Sequence, residues 1–178
     1  MGRVVLENGM LIAVVPALIW GGMLSWMDCR ERRLPNLLTL GAAATALAWR
    51  LGYGDSGLFL EGFAGAVVGG LFLLIPFLMR GAGGGDVKMM FAAGAITGWN
   101  RVMMLLWITS LAGVVFGTAM LVGGKLDGAR VKHLVRCIFD WRYDRRKGAS
   151  GLPSREDDRV RVPFSIPITV GMIGAMLL

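Results

Sequence analysis

The run of residues 89–124 limits the fold more than any other stretch of the chain. Only Asn100 and Arg101 interrupt its apolar character. As one helix at ~1.5 Å per residue it would extend ~54 Å, whereas the hydrocarbon core of a bilayer is ~30 Å thick. It is too long to cross a membrane once, so it must fold back on itself. "GWNR" (residues 98–101) supplies the corner, with a glycine to turn and two polar side chains to meet water. The run then divides into a short span, about 87–99, and a full-length one, about 102–122.

Four further apolar runs, about 4–27, 35–52, 58–79 and 163–178, complete the pattern, with Arg50 near enough to the end of its run to snorkel. The chain is 55% hydrophobic with a mean hydropathy of +0.61, seldom met in a soluble domain of 178 residues. The expectation is an all-α polytopic membrane protein with six transmembrane helices. It would form one membrane-embedded domain over 1–178, with a basic loop at 124–162. The first run is longer than a signal-peptide core of ~7–15 residues. It leads into "DCRERR" rather than a small-x-small cleavage site, so it is expected to be retained as a span.

Six spans place alternate loops on one side. One side then carries 16 of the 19 Lys and Arg residues; the other carries Arg3, Arg50 and Arg101. The positive-inside rule puts the N-terminus outside and the basic side in the cytoplasm, which implies the inner membrane. The basic loop contains "VKHLVRCIFDWRYDRR". This reads either as an amphipathic helix on the inner leaflet, with Leu134, Ile138 and Trp141 on one face, or as a solvated loop. Both favour anionic lipids. No nucleic-acid motif accompanies the charge, so no nucleic acid is expected. Two cysteines without a CxxC pair, Cys29 and Cys137, and a single His133 give no zinc module or disulfide framework. Neither metal nor cofactor is expected. Within the third span, "GFAGAVVGG" has the small-xxx-small spacing that lets helices approach closely.

The topology leaves two acids on the cytoplasmic side. Asp28 closes the first span, and Asp86 precedes the fourth, behind "GAGGG". Two carboxylates brought face to face cannot both ionise readily and share a proton. One can then take a proton from water while the other donates to a scissile carbonyl, which is aspartic-protease chemistry. Each acid also has a plainer reading. Asp28 beside "RERR" suits an interfacial charge, and Asp86 at a helix N-terminus suits a cap. The glycines before it suit a hinge as well as a site.

"GGGD", Gly83 to Asp86, resembles the GxGD signature of membrane-embedded aspartyl proteases. With Val87 and Lys88 it is similar to the GxGDxK form of type IV prepilin peptidases. "DCRERRLPN" resembles that family's D-x6-P-N pattern, and "VPFSIPITVG" its proline-containing last span. The resemblance covers nearly the whole chain in order. It implies a six-span GxGD fold and an aspartic endopeptidase that cleaves the basic leader from prepilins and pseudopilins at the cytoplasmic face. Asp28 and Asp86 carry over as the catalytic pair and Gly83 and Gly85 as shapers of the loop. Lys88, Pro35 and Asn36 carry over as supporting residues, Pro35 doubling as a helix-starting proline. The large family members bear paired CxxC motifs and also N-methylate their product. The first span here runs straight into Asp28 without such motifs, so methylation is not expected. The compact form is similar to TadV/CpaA-type peptidases of tight-adherence (Flp/Tad) pilus systems and, more distantly, to archaeal preflagellin peptidases. The rival readings are a proton-coupled transporter component and a non-catalytic pilus-assembly subunit. The sequence does not specify the oligomeric state.

Overall fold

The computed structural model describes residues 2–31, 34–53, 56–78, 82–123 and 164–178, which form helices and the short joints beside them, with no strand among them. The helices are α1 (Gly2–Glu31), α2 (Asn36–Tyr53), α3 (Ser56–Leu78), α4 (Gly84–Thr97), α5 (Trp99–Val122) and α6 (Ser165–Leu177). Their limits fall within a few residues of the apolar runs, because in such a run only the helix satisfies every backbone group internally. Among the described residues two helical stretches are long and apolar enough to cross a membrane, Ser56–Leu78 and Trp99–Met120; α6 is apolar but shorter. Trp107, Leu111, Val114 and Val115 make a broad exposed apolar face on α5, and Leu60, Leu71, Ile75 and Leu78 do the same on α3. Such faces suit hydrocarbon rather than water. The basic loop, with its amphipathic-helix reading, lies outside the described residues.

Packing centres on α4. It lies most extensively against α3 and also against α2, α5 and α6, while α6 joins α5 to α1. The predicted small-residue seam forms the α3–α4 contact. A Cβ on Gly65 would come within 2.5 Å of the Gly94 carbonyl oxygen, and one on Gly69 within 2.7 Å of the Met90 carbonyl oxygen. The two backbones touch directly, and any side chain would force them apart. Leu24, Leu73, Met89, Met90, Leu105, Ile168 and Met172 fill a fully buried core drawn from α1, α3, α4, α5 and α6. The Trp20 indole N–H donates to the Leu38 carbonyl at 2.8 Å and ties α1 to α2.

Two sequence expectations are corrected at the corner. The turn is made by Gly98 alone, at φ +77°, while Trp99, Asn100 and Arg101 already form the first turn of α5. Only glycine takes this backbone angle without strain. Arg50 does not snorkel. It is 8% exposed and turned inward, donating from Nε to the Ala95 carbonyl (3.1 Å) and from Nη2 to the Ile96 carbonyl (2.9 Å). It lies in a slot where a Cβ on Gly62 or Gly98 would collide with it. The last-turn carbonyls of α4 carry the negative end of the helix dipole and lack partners of their own, so a cation there is stabilising. Arg101 does the same for α6, donating to the carbonyls of Ala175 and Met176. An arginine thus satisfies the C-terminal end of each short helix.

Candidate active site

At the opposite end of α4 from Arg50, the glycine stretch is shorter as a loop than expected. Gly83 is the N-cap residue, in extended conformation, and Gly84 and Gly85 already belong to the first helical turn. Asp86 is therefore inside α4 at its third position rather than ahead of it. Its carboxylate Oδ2 accepts the Gly83 N–H at 3.0 Å. This is the reach-back half of a capping box, glycine having no side chain to return the second half. The bond satisfies an otherwise orphaned donor and aims the carboxylate along the helix start, where the dipole favours an anion. Asp86 is 6% exposed, so this is no solvated surface charge.

Steric crowding explains two of the three glycines. A Cβ on Gly85 would lie 2.9 Å from the Cβ of Leu34, and one on Gly83 would lie 3.0 Å from Asp86 Oδ2. At Gly84 the nearest foreign atom would be a ring carbon of Phe77 at 3.4 Å, an ordinary contact. Gly98 is the only positive-φ glycine among the described residues. An unusual backbone angle at Gly85 is therefore not the constraint; space is.

Gly85 against Leu34 marks where the segment following Asp28 meets the segment carrying Asp86. Lys88 and Asn36 join them a second time, the Lys88 ammonium donating to Asn36 Oδ1 at 2.7 Å. Pro35 stands immediately before α2, and its carbonyl accepts the N–H groups of Leu38 and Thr39 and the Thr39 hydroxyl. It starts the helix through its carbonyl, one position earlier than the sequence placed it. Of the residues singled out from the sequence, Lys88 and Asn36 are in direct contact and Pro35 directly precedes Asn36 in the chain.

Asp28 lies in the last turn of α1 and points its carboxylate toward α6. Its Oδ2 accepts the Ser165 hydroxyl at 2.6 Å. One turn inward, Ser25 and Thr169 share a hydroxyl hydrogen bond at 3.2 Å, and Gly21 makes room for Thr169. Gly21, Ser25 and Asp28 occur at i, i+4 and i+7, so they line one face of α1. Sequence reasoning missed Ser165, which is fully buried at the first position of an apolar helix. The signal available was a lone hydroxyl in "PFSIP". Nothing local shows that it faces an acid on another helix.

Both acids occupy one end of the bundle. Leu24, one turn in from Asp28, Met90, one turn in from Asp86, and Ile168, one turn in from Ser165, belong to the same buried cluster. Leu34, Val87 and Phe164 close that cluster at the acid-bearing end. Cys29, next to Asp28, is exposed. Its thiol pKa is raised, first by partial desolvation at the helix end and then by the Asp28 charge. That disfavours the reactive thiolate. Among the described residues no three His, Cys, Asp or Glu side chains gather as a metal site.

Residues 15–118 match the type IV leader peptidase family. Over 109 residues the chain is 35% identical to the leader peptidase HopD of Salmonella typhimurium, covering 61% of this chain and 59% of that protein. Over 100 residues it is 36% identical to the prepilin leader peptidase/N-methyltransferase of Escherichia coli, covering 51% of this chain and 43% of that protein. The matches thus span roughly half the length of these curated relatives. No solved structure matches the chain.

Proposed function

The chain belongs to the type IV leader peptidase family, and on that premise we propose that it is an aspartic endopeptidase that removes the leader peptide from prepilins, with Asp28 and Asp86 as the catalytic pair. The observation that carries this reading is the placement of two acids on different helices at one end of the bundle, each with a carboxylate oxygen held by a donor. Asp28 is held by the Ser165 hydroxyl and Asp86 by the Gly83 N–H. In the proposed reaction one carboxylate removes a proton from water as the oxygen attacks the scissile carbonyl. The other acid donates its proton to the carbonyl oxygen, giving a tetrahedral diol. Collapse of the diol returns a proton to the leaving amine and frees the pilin N-terminus. Lys88, tied to Asn36, holds the starts of α2 and α4 together and adds a cation two residues after Asp86.

The finer features of the proposal follow from the distribution of charge and the order of segments along the chain. Six spans with the N-terminus outside put the acid end at the cytoplasmic face of the inner membrane, where a pilin's apolar segment meets its basic leader. The basic loop would lie near anionic lipids. The direct run of the first helix into Asp28, with no CxxC-bearing insertion between them, favours Flp/Tad-type substrates and cleavage without N-methylation. A proton-relay transporter is disfavoured because Asp28 and Asp86 lie at helix ends rather than mid-helix, and the exposed hydroxyls of Thr45, Ser110 and Thr118 donate back to carbonyls of their own helices.

Co-expression with prepilins encoded beside the chain tests the reading by the mass of the pilin product. The parent is expected to remove the leader, while Asp28→Asn and Asp86→Asn each leave it attached though accumulating in the membrane. Leader removal by either variant at near the parental rate, or none by the parent, would refute the assignment.

A further inference from the structure

We propose that Ser165 is the positioning residue for Asp28, and that α6 thereby sets the geometry of the acid pair. The inference rests on the aspartic reading above. A fully buried hydroxyl in an apolar helix needs a hydrogen-bond partner, and here that partner lies 137 residues earlier in the chain, on α1. The 2.6 Å separation is in the range of a hydroxyl donating to a carboxylate. Such a bond fixes both side-chain torsions of the aspartate, selecting which oxygen faces α6 and which is left for water. The register of the two helices is set again one turn inward. There Thr169 donates to the Ser165 carbonyl and shares a hydrogen bond with Ser25. Ser165 is therefore held at a defined height relative to Asp28.

The coupling reaches the second acid through packing. α6 lies against both α1 and α4. Ile168, one turn from Ser165, shares a buried cluster with Met89 and Met90, which follow Asp86 on α4. Asp28 is thus referenced through Ser165 to the helix that carries Asp86. α1 itself ends three residues after Asp28, and a helix end frays without an outside partner. Ser165 supplies that partner.

The test uses the full chain, purified in detergent. The probe is a synthetic peptide carrying a basic leader followed by the apolar start of a pilin. Steady-state cleavage is measured for Ser165→Ala, Ser165→Thr and Ser165→Cys at matched protein levels, with Asp28→Asn and Asp86→Asn alongside. Losing a hydrogen bond to a charged group, together with the aim it provides, predicts a fall in kcat of about 10- to 100-fold for Ser165→Ala. KM is expected to stay within about twofold, because Ser165 is fully buried and its hydroxyl is engaged by Asp28. Ser165→Thr keeps the hydroxyl and is expected to restore most of the rate. Where threonine's extra methyl prevents accumulation, the Cys and Ala variants decide. The thiol is a weak donor, so kcat for cysteine should exceed that for alanine. A kcat for Ser165→Ala within about twofold of the parent overturns the proposal. So does a KM that rises in step with the loss, or a loss that is the same for all hydroxyl-bearing and hydroxyl-free variants. If the asparagine variants are inactive and Ser165→Ala is normal, only the role of Ser165 falls. If the asparagine variants cleave, the aspartic reading falls first.

Discussion

Replacing Gly85 with alanine would put a methyl group 2.9 Å from Leu34 Cβ, 3.0 Å from its Cδ1 and 3.2 Å from its Cγ. Carbon atoms in good contact lie ~3.5–4.0 Å apart, so the two segments must separate by roughly 0.6–1 Å. Rotamer changes relieve little of this, because the nearest atom is the Cβ, fixed to the backbone. Leu34 follows Asp28 by six residues and Gly85 adjoins Asp86. The displacement therefore feeds into the spacing of the two acid-bearing segments. Overpacking of this kind costs about 1–3 kcal/mol, and a ~1 Å misplacement of reacting groups lowers a rate about a hundredfold. Gly84→Ala is the matched control, since its methyl meets only a Phe77 ring carbon at 3.4 Å. Alanine also favours the helix by up to ~1 kcal/mol over glycine. Rates of leader removal at equal membrane levels are expected to be near parental for Gly84→Ala and about 30- to 100-fold lower for Gly85→Ala. Adding Leu34→Ala to Gly85→Ala removes the Cγ and Cδ1 clashes but not the Cβ one, so it should recover part of the loss. Equal rates for the two single variants would refute the steric account and make the glycines a simple hinge.

Arg50→Met keeps the volume of the slot beside Gly62 and Gly98 but removes both hydrogen bonds to the end of α4. We expect a loss of about 2 kcal/mol, read as a lower thermal midpoint in detergent; a parental midpoint would show that the guanidinium contributes nothing net. Cys29→Ser should cleave at the parental rate, because the thiol takes no part in the proposed chemistry. The raised thiol pKa leaves little thiolate at neutral pH, so alkylation by iodoacetamide should be slow there and accelerate as pH rises through the alkaline range. Fast alkylation at pH 7 would contradict the desolvated helix-end environment.

The positions of the helices were legible in the sequence because their cause is local. An uncharged run must satisfy its backbone internally, so "GFAGAVVGG" and the run at 89–124 announced a packed helix and a fold-back without any knowledge of neighbours. Asp28 and Asp86 stood out because charged side chains beside apolar runs are costly and few, whereas Lys88 and Asn36 stood out only through the resemblance to type IV prepilin peptidases. Tertiary structure decided where those side chains point and what they meet. From its place near a span end, Arg50 reads as a snorkelling residue. The chain turns it inward because the carbonyl end of α4, far away in sequence, offers partners that the interface does not. Gly85 reads as a residue needing conformational freedom, whereas in the fold it needs room for Leu34. Ser165 is marked in the sequence only as a lone hydroxyl in an apolar run; its contact with Asp28 exists only once α1 and α6 lie side by side. Hydrophobicity and backbone hydrogen bonding act along a segment and can be read from it, but a hydrogen bond or a collision between helices depends on their relative register, which only packing sets.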